Sequence, residues 1–113
     1  GYNSLAHRTT WLRSDLVRNR IPQIIEESGK RCETEILSNE RYLEMLDKKL
    51  DEELAEYQIE KNIEELADLL EVVYAVAKAR GCSVAELEQI RTEKKEKRGA
   101  FDKKIFLIKV TED

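Results

Sequence analysis

The chain has 113 residues, of which 39% are charged and 41% hydrophobic, and its net charge is −4. This length suits one domain, and the apolar share is large enough for a core. The mildly acidic balance argues against general binding to nucleic-acid polymers, which depends on neutralising phosphates. No apolar run approaches the roughly 20 residues that span a membrane. With one proline and four glycines, the composition favours long helices.

The cysteine and histidine content excludes several kinds of catalytic and metal site. Cys32 and Cys82 lie far apart and form no C-x-x-C pair, so a zinc site is not expected. His7 is the single histidine, which removes histidine-based triads and multi-histidine metal sites. Two free thiols, without a signal peptide, are typical of a cytoplasmic protein.

The first 30 residues divide into a leader and a short helix. Residues 1–15 show no clear hydrophobic period and are predicted to form an irregular leader. A single helical domain is predicted over 16–113. At its start, Pro22 suits the first turn of a short helix and Gly29 suits its end.

Three longer helices are predicted after a connector. The second is expected over about 38–60, where apolar residues recur at steps of three or four. The third is expected over 62–80 and the fourth over 83–98. Asn62 and Ser83 each precede a glutamate by three residues, which is the capping-box spacing at a helix start.

The third helix and the C-terminal segment bear on assembly. Residues 66–79 are apolar around most of the helix circumference, and so short a chain offers little cover for such a helix. Residues 104–110, KIFLIKV, are apolar and β-branched, which predicts a strand or an extended arm. We therefore expect an all-α antiparallel bundle of about four helices with a short C-terminal strand or extended arm. It is expected to assemble as a homo-oligomer, either a homodimer or a dimer of dimers.

Acidic residues border the apolar faces of the second and third helices. At 100° per residue, Glu53 lies within the apolar stripe of the second helix, Glu56 lies at its edge, and Glu52 is turned further away. On the third helix, Glu65 and Asp68 lie beside valines of the apolar face. The short connection predicts antiparallel neighbours, so the four bordering acids are expected to meet.

A cluster of four carboxylates needs a compensating positive charge. Residues 51–71 contain nine acids and one base, Lys61, so we expect no lysine or arginine among the four. Buried carboxylates cost on the order of several kcal/mol unless they are paired or bound to metal. Mg²⁺ or Mn²⁺ is the predicted partner, because both favour carboxylate oxygens. The alternative is a solvated acidic surface on which Glu65 only caps the third helix.

Two acidic motifs, EELAE at 52–56 and EELAD at 64–68, are the most specific feature of the sequence. The pair resembles the E-E-x-x-E … E-x-x-D signature of the all-α NTP pyrophosphohydrolases, which include MazG, the dimeric dUTPases and phosphoribosyl-ATP pyrophosphohydrolase. The segments LVRNRIPQIIEESGK, YLEMLDKKLDEELAEY and KKEKRGAFDKKIFL look like the phosphoribosyl-ATP pyrophosphohydrolase-like branch. The resemblance covers about residues 16–108. Eight residues separate Glu56 from Glu65, fewer than is typical of the signature.

This resemblance implies a Mg²⁺-dependent hydrolase that cleaves a nucleoside triphosphate between its α- and β-phosphates, giving a monophosphate and pyrophosphate. House-cleaning of non-standard nucleotides is one role compatible with it. Position by position, the resemblance implies that the metal ligands are Glu53, Glu56, Glu65 and Asp68, with Mn²⁺ as a second suitable ion. Glu52 matches the first glutamate of the signature, which implies a role as an outer metal ligand or as a base. Either Glu52 or Glu56 is expected to accept the proton of the attacking water.

Basic side chains are expected to hold the phosphates of such a substrate. Residues 91–104 contain seven bases against three acids. The candidates are Lys94, Lys97, Arg98, Arg18 and Arg20. The alternative for the helix end is a solvated basic surface that complements the helix dipole. No G-x-x-x-x-G-K-[ST] motif is present, so a P-loop ATPase is not expected.

Two other functions remain open at this point. One is a true phosphoribosyl-ATP pyrophosphohydrolase of histidine biosynthesis, which differs only in its substrate. The other is a non-catalytic helical module for oligomerisation or regulation, whose acids keep it in solution. Binding of a divalent ion would separate this module from the enzymes.

Overall fold

A computed structural model describes residues 15–112, and this part of the chain contains four α-helices and no strand. The helices are α1 (Ile21–Glu27), α2 (Asn39–Glu60), α3 (Ile63–Ala79) and α4 (Val84–Arg98). The all-α prediction is confirmed. The predicted leader over 1–15 lies outside the described residues except for Asp15.

Side-chain caps fix where the three longer helices begin. Ser38, Asn62 and Ser83 each accept a hydrogen bond from the backbone N–H three residues later, which satisfies a donor that the helix leaves unpaired. At α4 the capping box is complete, because the Glu86 carboxylate also accepts from the Ser83 N–H. At α3, within the described chain, only the Asn62 half forms. The Glu65 carboxylate therefore does not serve as the capping acid.

A two-residue turn joins α2 to α3. Lys61 adopts the left-handed conformation, with φ of 58°, and its N–H donates to the Tyr57 carbonyl at 2.7 Å. Asn62 follows and caps α3. Because so short a turn reverses the chain, α2 and α3 form an antiparallel hairpin and pack against each other along their lengths.

The apolar core of the described chain is small. Leu46 on α2 and Val72 on α3 are its buried hydrophobic residues, and the buried charged residues Glu53 and Glu65 lie on the same two helices. The fourth helix packs less closely on α3. The Tyr74 hydroxyl donates to Glu88 Oε1 across that interface at 3.4 Å.

The C-terminal segment carries no regular secondary structure over residues 104–112. Of the two predicted alternatives, the strand does not form within the described part of the chain. The apolar side chains of the segment are exposed: Ile105, Phe106, Leu107, Ile108 and Val110. Among residues 15–112, no helix has both the length and the apolar character needed to cross a membrane.

Candidate metal centre

The α2–α3 hairpin brings acidic side chains of both helices together. Glu53 lies two turns after Leu46 on the same face of α2, which explains why both are buried. Glu56 lies five residues before Lys61 and Glu65 three residues after Asn62, and Glu53 and Asp68 lie eight and six residues from the same turn. The antiparallel hairpin therefore brings acids of the two helices to similar heights along their axes.

Two overlapping groups of carboxylates result. Glu52, Glu53 and Glu56 form one group, and Glu53, Glu65 and Asp68 form the other. In each group, one oxygen per residue lies within 4.8 Å of the others. Glu53 belongs to both groups, so the four acids predicted as metal ligands and the predicted base Glu52 occupy one continuous cluster.

Two oxygens of this cluster are buried without a hydrogen-bond partner. They are Glu53 Oε2 and Glu65 Oε2, on side chains of residues that are only 5% and 8% exposed. An unpaired buried oxygen of this kind costs on the order of 1–3 kcal/mol, and more where the group is charged. Within residues 15–112, no hydrogen-bond donor therefore reaches these two oxygens.

The expectation that no lysine or arginine lies among the acids is wrong. The Lys49 ammonium lies 3.2 Å from Asp15 Oδ2, 3.2 Å from Glu52 Oε2 and 3.6 Å from Glu53 Oε1, on a side chain that is 11% exposed. Lys49 lies one helical turn before Glu53 and just outside the acid-rich stretch 51–71. Lys49 and Asp15 are the members of the site that the sequence analysis missed.

A second base pairs with the cluster at its edge. The Arg18 guanidinium donates to Asp68 Oδ1 at 2.6 Å, and both side chains are partly exposed. Arg18 was predicted to contact substrate phosphate, and the structure places it beside a predicted metal ligand. Arg20 occupies the N-cap of α1, where its side chain makes no capping hydrogen bond.

The remaining predicted phosphate-binding residues lie apart from the acids. Lys94, Lys97 and Arg98 are exposed near the C-terminal end of α4. Within residues 15–112, no ion pair joins these three side chains to the acidic cluster. Within the described chain, these three bases of α4 therefore do not pair with the acidic cluster, whereas Arg18 does.

Burial and mutual repulsion raise the pKa values of the two central carboxyl groups. Burial raises the pKa of Glu53 to about 7, with a further contribution from the negative charge of Glu56 and an opposing one from Lys49. Burial also raises the pKa of Glu65, and the charges of Glu56 and Asp68 raise it further. Glu56 thus acts on acids of both helices, which shows that the cluster is a single electrostatic unit.

Comparison with known proteins gives little further information. No family model matches the chain, and no solved structure matches it. Over 43 residues it is 49% identical to a protein of Mycolicibacterium smegmatis described as uncharacterized. That match covers 38% of this chain and 44% of the relative, so the chain aligns with less than half of the relative's length.

The raised pKa of Glu53 predicts how the metal-free protein responds to pH. The folded state keeps a proton on Glu53 that the unfolded state has released, so the free energy of unfolding should fall as pH rises from 4.5 to about 7. Below this window the carboxyl is protonated in both states and carries no penalty. Above it the buried charge is present and the penalty is complete.

Urea unfolding in EDTA at about pH 5 and about pH 8 measures this dependence. Glu53→Gln cannot ionise at this position and should show a weaker pH dependence than the wild type. Glu64→Gln, which changes an exposed acid of the same hairpin, should behave like the wild type. Identical pH dependence in the wild type and Glu53→Gln would contradict the assignment.

Proposed function

We propose that the protein is a Mg²⁺-dependent nucleotide pyrophosphohydrolase, with Mn²⁺ as an alternative ion, that cleaves between the α- and β-phosphates of a nucleoside triphosphate. The observation that carries the proposal is the pair of buried oxygens without hydrogen bonds, Glu53 Oε2 and Glu65 Oε2, at the centre of the acidic cluster. The motifs EELAE and EELAD, and their resemblance to the all-α pyrophosphohydrolases, supply the reaction type.

The donor set suits a hard divalent cation. Mg²⁺ takes oxygen ligands at about 2.1 Å in an octahedron, which places neighbouring ligand oxygens about 3 Å apart and opposite ones about 4.2 Å apart. The oxygens of Glu53, Glu65 and Asp68 lie within 4.8 Å of one another, so small side-chain rotations would bring them to these separations. Glu56, which interacts with both Glu53 and Glu65, is the fourth proposed ligand.

The residues of the chain then have distinct roles. A divalent cation held by Glu53, Glu56, Glu65 and Asp68 would supply positive charge to phosphate oxygens and lower the pKa of the attacking water. Glu52 or Glu56 accepts the proton of that water, which a carboxylate does well when it stands beside the nucleophile. Glu52 also accepts a hydrogen bond from Lys49 at 3.2 Å, which orients its carboxylate.

The substrate phosphates require positive charge beyond that of Lys49, which is already paired with three carboxylates. Arg18 is the predicted phosphate-binding residue that contacts the cluster, through its ion pair with Asp68. Its exposed guanidinium can exchange the Asp68 carboxylate for a phosphate oxygen. Lys94, Lys97, Arg98 and Arg20 complete the proposed set. For the three residues of α4, contact with the acids requires a second copy of the chain or a rearrangement on substrate binding.

The ion pairs of Lys49 and Arg18 favour the non-catalytic module as the second candidate. In that case the two bases compensate the acids and the hairpin is purely structural. This reading leaves Glu53 Oε2 and Glu65 Oε2 without partners, which is the reason we prefer the enzyme. Phosphoribosyl-ATP remains an alternative substrate.

We further propose that the chain works as a homo-oligomer in the cytoplasm. Its radius of gyration is 18.6 Å, whereas a compact domain of this length has a value of about 13 Å. Ile63, Leu66 and Leu70 leave an apolar surface exposed on α3. A second copy that covers this surface and the C-terminal segment would provide the burial that one chain lacks.

Release of pyrophosphate tests the enzymatic proposal directly. The wild type should release pyrophosphate from at least one member of a panel of standard and damaged NTPs and dNTPs, plus phosphoribosyl-ATP, and EDTA should abolish the activity. Glu53→Gln, Glu56→Gln and Asp68→Asn should each lower the rate by on the order of 10²-fold or more, because each removes a proposed ligand or base. Glu64→Gln is the matched control and should keep the wild-type rate.

If no member of the panel is hydrolysed, the protein is either an enzyme for another substrate or the non-catalytic module. Metal binding separates these two cases. Mg²⁺ in large excess over its dissociation constant should raise the melting temperature of the wild type, by on the order of 10 °C, and should not do so for Glu53→Gln. Folded protein with neither turnover nor a metal-dependent shift would contradict the enzymatic proposal and favour the non-catalytic module.

The oligomer is tested by mass in solution. Light scattering after gel filtration should give a mass of at least twice the 13.2 kDa of one chain. Combined Leu66→Glu and Leu70→Glu substitutions should shift the mass toward a single chain, because they place charge on the surface that the second copy covers. The control Glu64→Gln should leave the mass unchanged. A wild type that behaves as a stable monomer would contradict this part of the proposal.

A further inference from the structure

Lys49 is surrounded by three carboxylates. Its ammonium contacts Asp15 and Glu52 at 3.2 Å and Glu53 at 3.6 Å, and the Lys49, Asp15 and Glu53 side chains are all at most 14% exposed. A buried lysine needs only one carboxylate to balance its charge. Three acids around one nitrogen resemble the oxygen shell of a bound cation: the ammonium donates hydrogen bonds to Asp15 and Glu52 and forms an ion pair with Glu53.

Glu53 is the residue that the two carboxylate groups share, and its two oxygens have different surroundings. Its Oε1 atom lies on the Lys49 side, and its Oε2 atom is buried with no hydrogen bond. Glu65 Oε2, which belongs only to the group formed with Asp68, has no partner either. The Glu52 side of the cluster therefore already holds a buried ammonium among its carboxylates. On the Glu65 side, Arg18 pairs with Asp68 at the exposed edge, and Glu65 Oε2 stays unpaired.

We propose that the Lys49 ammonium occupies the position that a second cation would take. Each chain then binds a single divalent ion, on the Glu65 side of the cluster. Glu52 stays available for proton transfer. This inference rests on the proposed function. Lys49 is a positioning residue in this account: it orients Glu52 and Glu53 and its charge repels a further ion from the Glu52 side. Removal of that charge should open a second cation site formed by Glu52, Glu53 and Glu56.

The test counts Mn²⁺ ions bound per chain, by electron paramagnetic resonance of free Mn²⁺ and by calorimetry, without substrate. The wild type should bind one ion. Lys49→Met, which keeps side-chain length and removes the charge, should bind a second. Lys49→Arg should restore binding of a single ion, and Lys48→Met should match the wild type because Lys48 is exposed on the same helix.

Each outcome decides the inference. A wild type that binds two ions, a Lys49→Met variant with unchanged stoichiometry, or a Lys49→Arg variant that binds a second ion would overturn it and leave the proposed function standing. A wild type that binds no Mn²⁺ would overturn both. Circular dichroism checks that each variant is folded. If Lys49→Met does not fold, Lys49→Gln replaces it, with the same result expected and the same result overturning the inference.

Discussion

The burial of acidic side chains between α2 and α3 is the constraint on which the rest of the structure depends. A helix face that includes Leu46 would ordinarily continue with an apolar residue two turns later, and this chain places Glu53 there. The partner helix places Glu65 opposite, also buried. Buried carboxylates do not stabilise a helix interface unless they keep a proton or a positive group pairs with them. Apolar residues at these positions would have needed neither.

The chain meets part of this requirement with its own bases. Lys49 is joined to the Glu52 side and Arg18 to Asp68. Lys49 lies among the acids and Arg18 at their exposed edge, and neither supplies a hydrogen bond to Glu53 Oε2 or Glu65 Oε2. A site that is only partly compensated is better suited to receive an ion than one that is fully paired. This distribution of charge, more than the number of acids, supports a metal-dependent function.

Local sequence signals were sufficient to predict most of the fold. Leu46 and its neighbours have the helical period, and the caps Asn62 and Ser83 mark helix starts that depend on nearby atoms only. The meeting of Glu53, Glu56, Glu65 and Asp68 was also predictable, because a short turn between two periodic segments fixes their pairing. The contacts of Asp15 and Arg18 were not, since the first lies 34 residues from Lys49 and the second 50 residues from Asp68. The C-terminal segment has the composition of a strand, yet composition does not supply the neighbouring strand with which it would pair.

Anomalous diffraction from crystals grown with Mn²⁺ tests the central claim most directly, because it locates the ion without reference to activity. The account predicts an anomalous peak bonded to carboxylate oxygens of Glu53, Glu56, Glu65 and Asp68, at about 2.2 Å. A structure in which these oxygens are instead satisfied by lysine or arginine side chains, with no peak between α2 and α3 at saturating Mn²⁺, would contradict it.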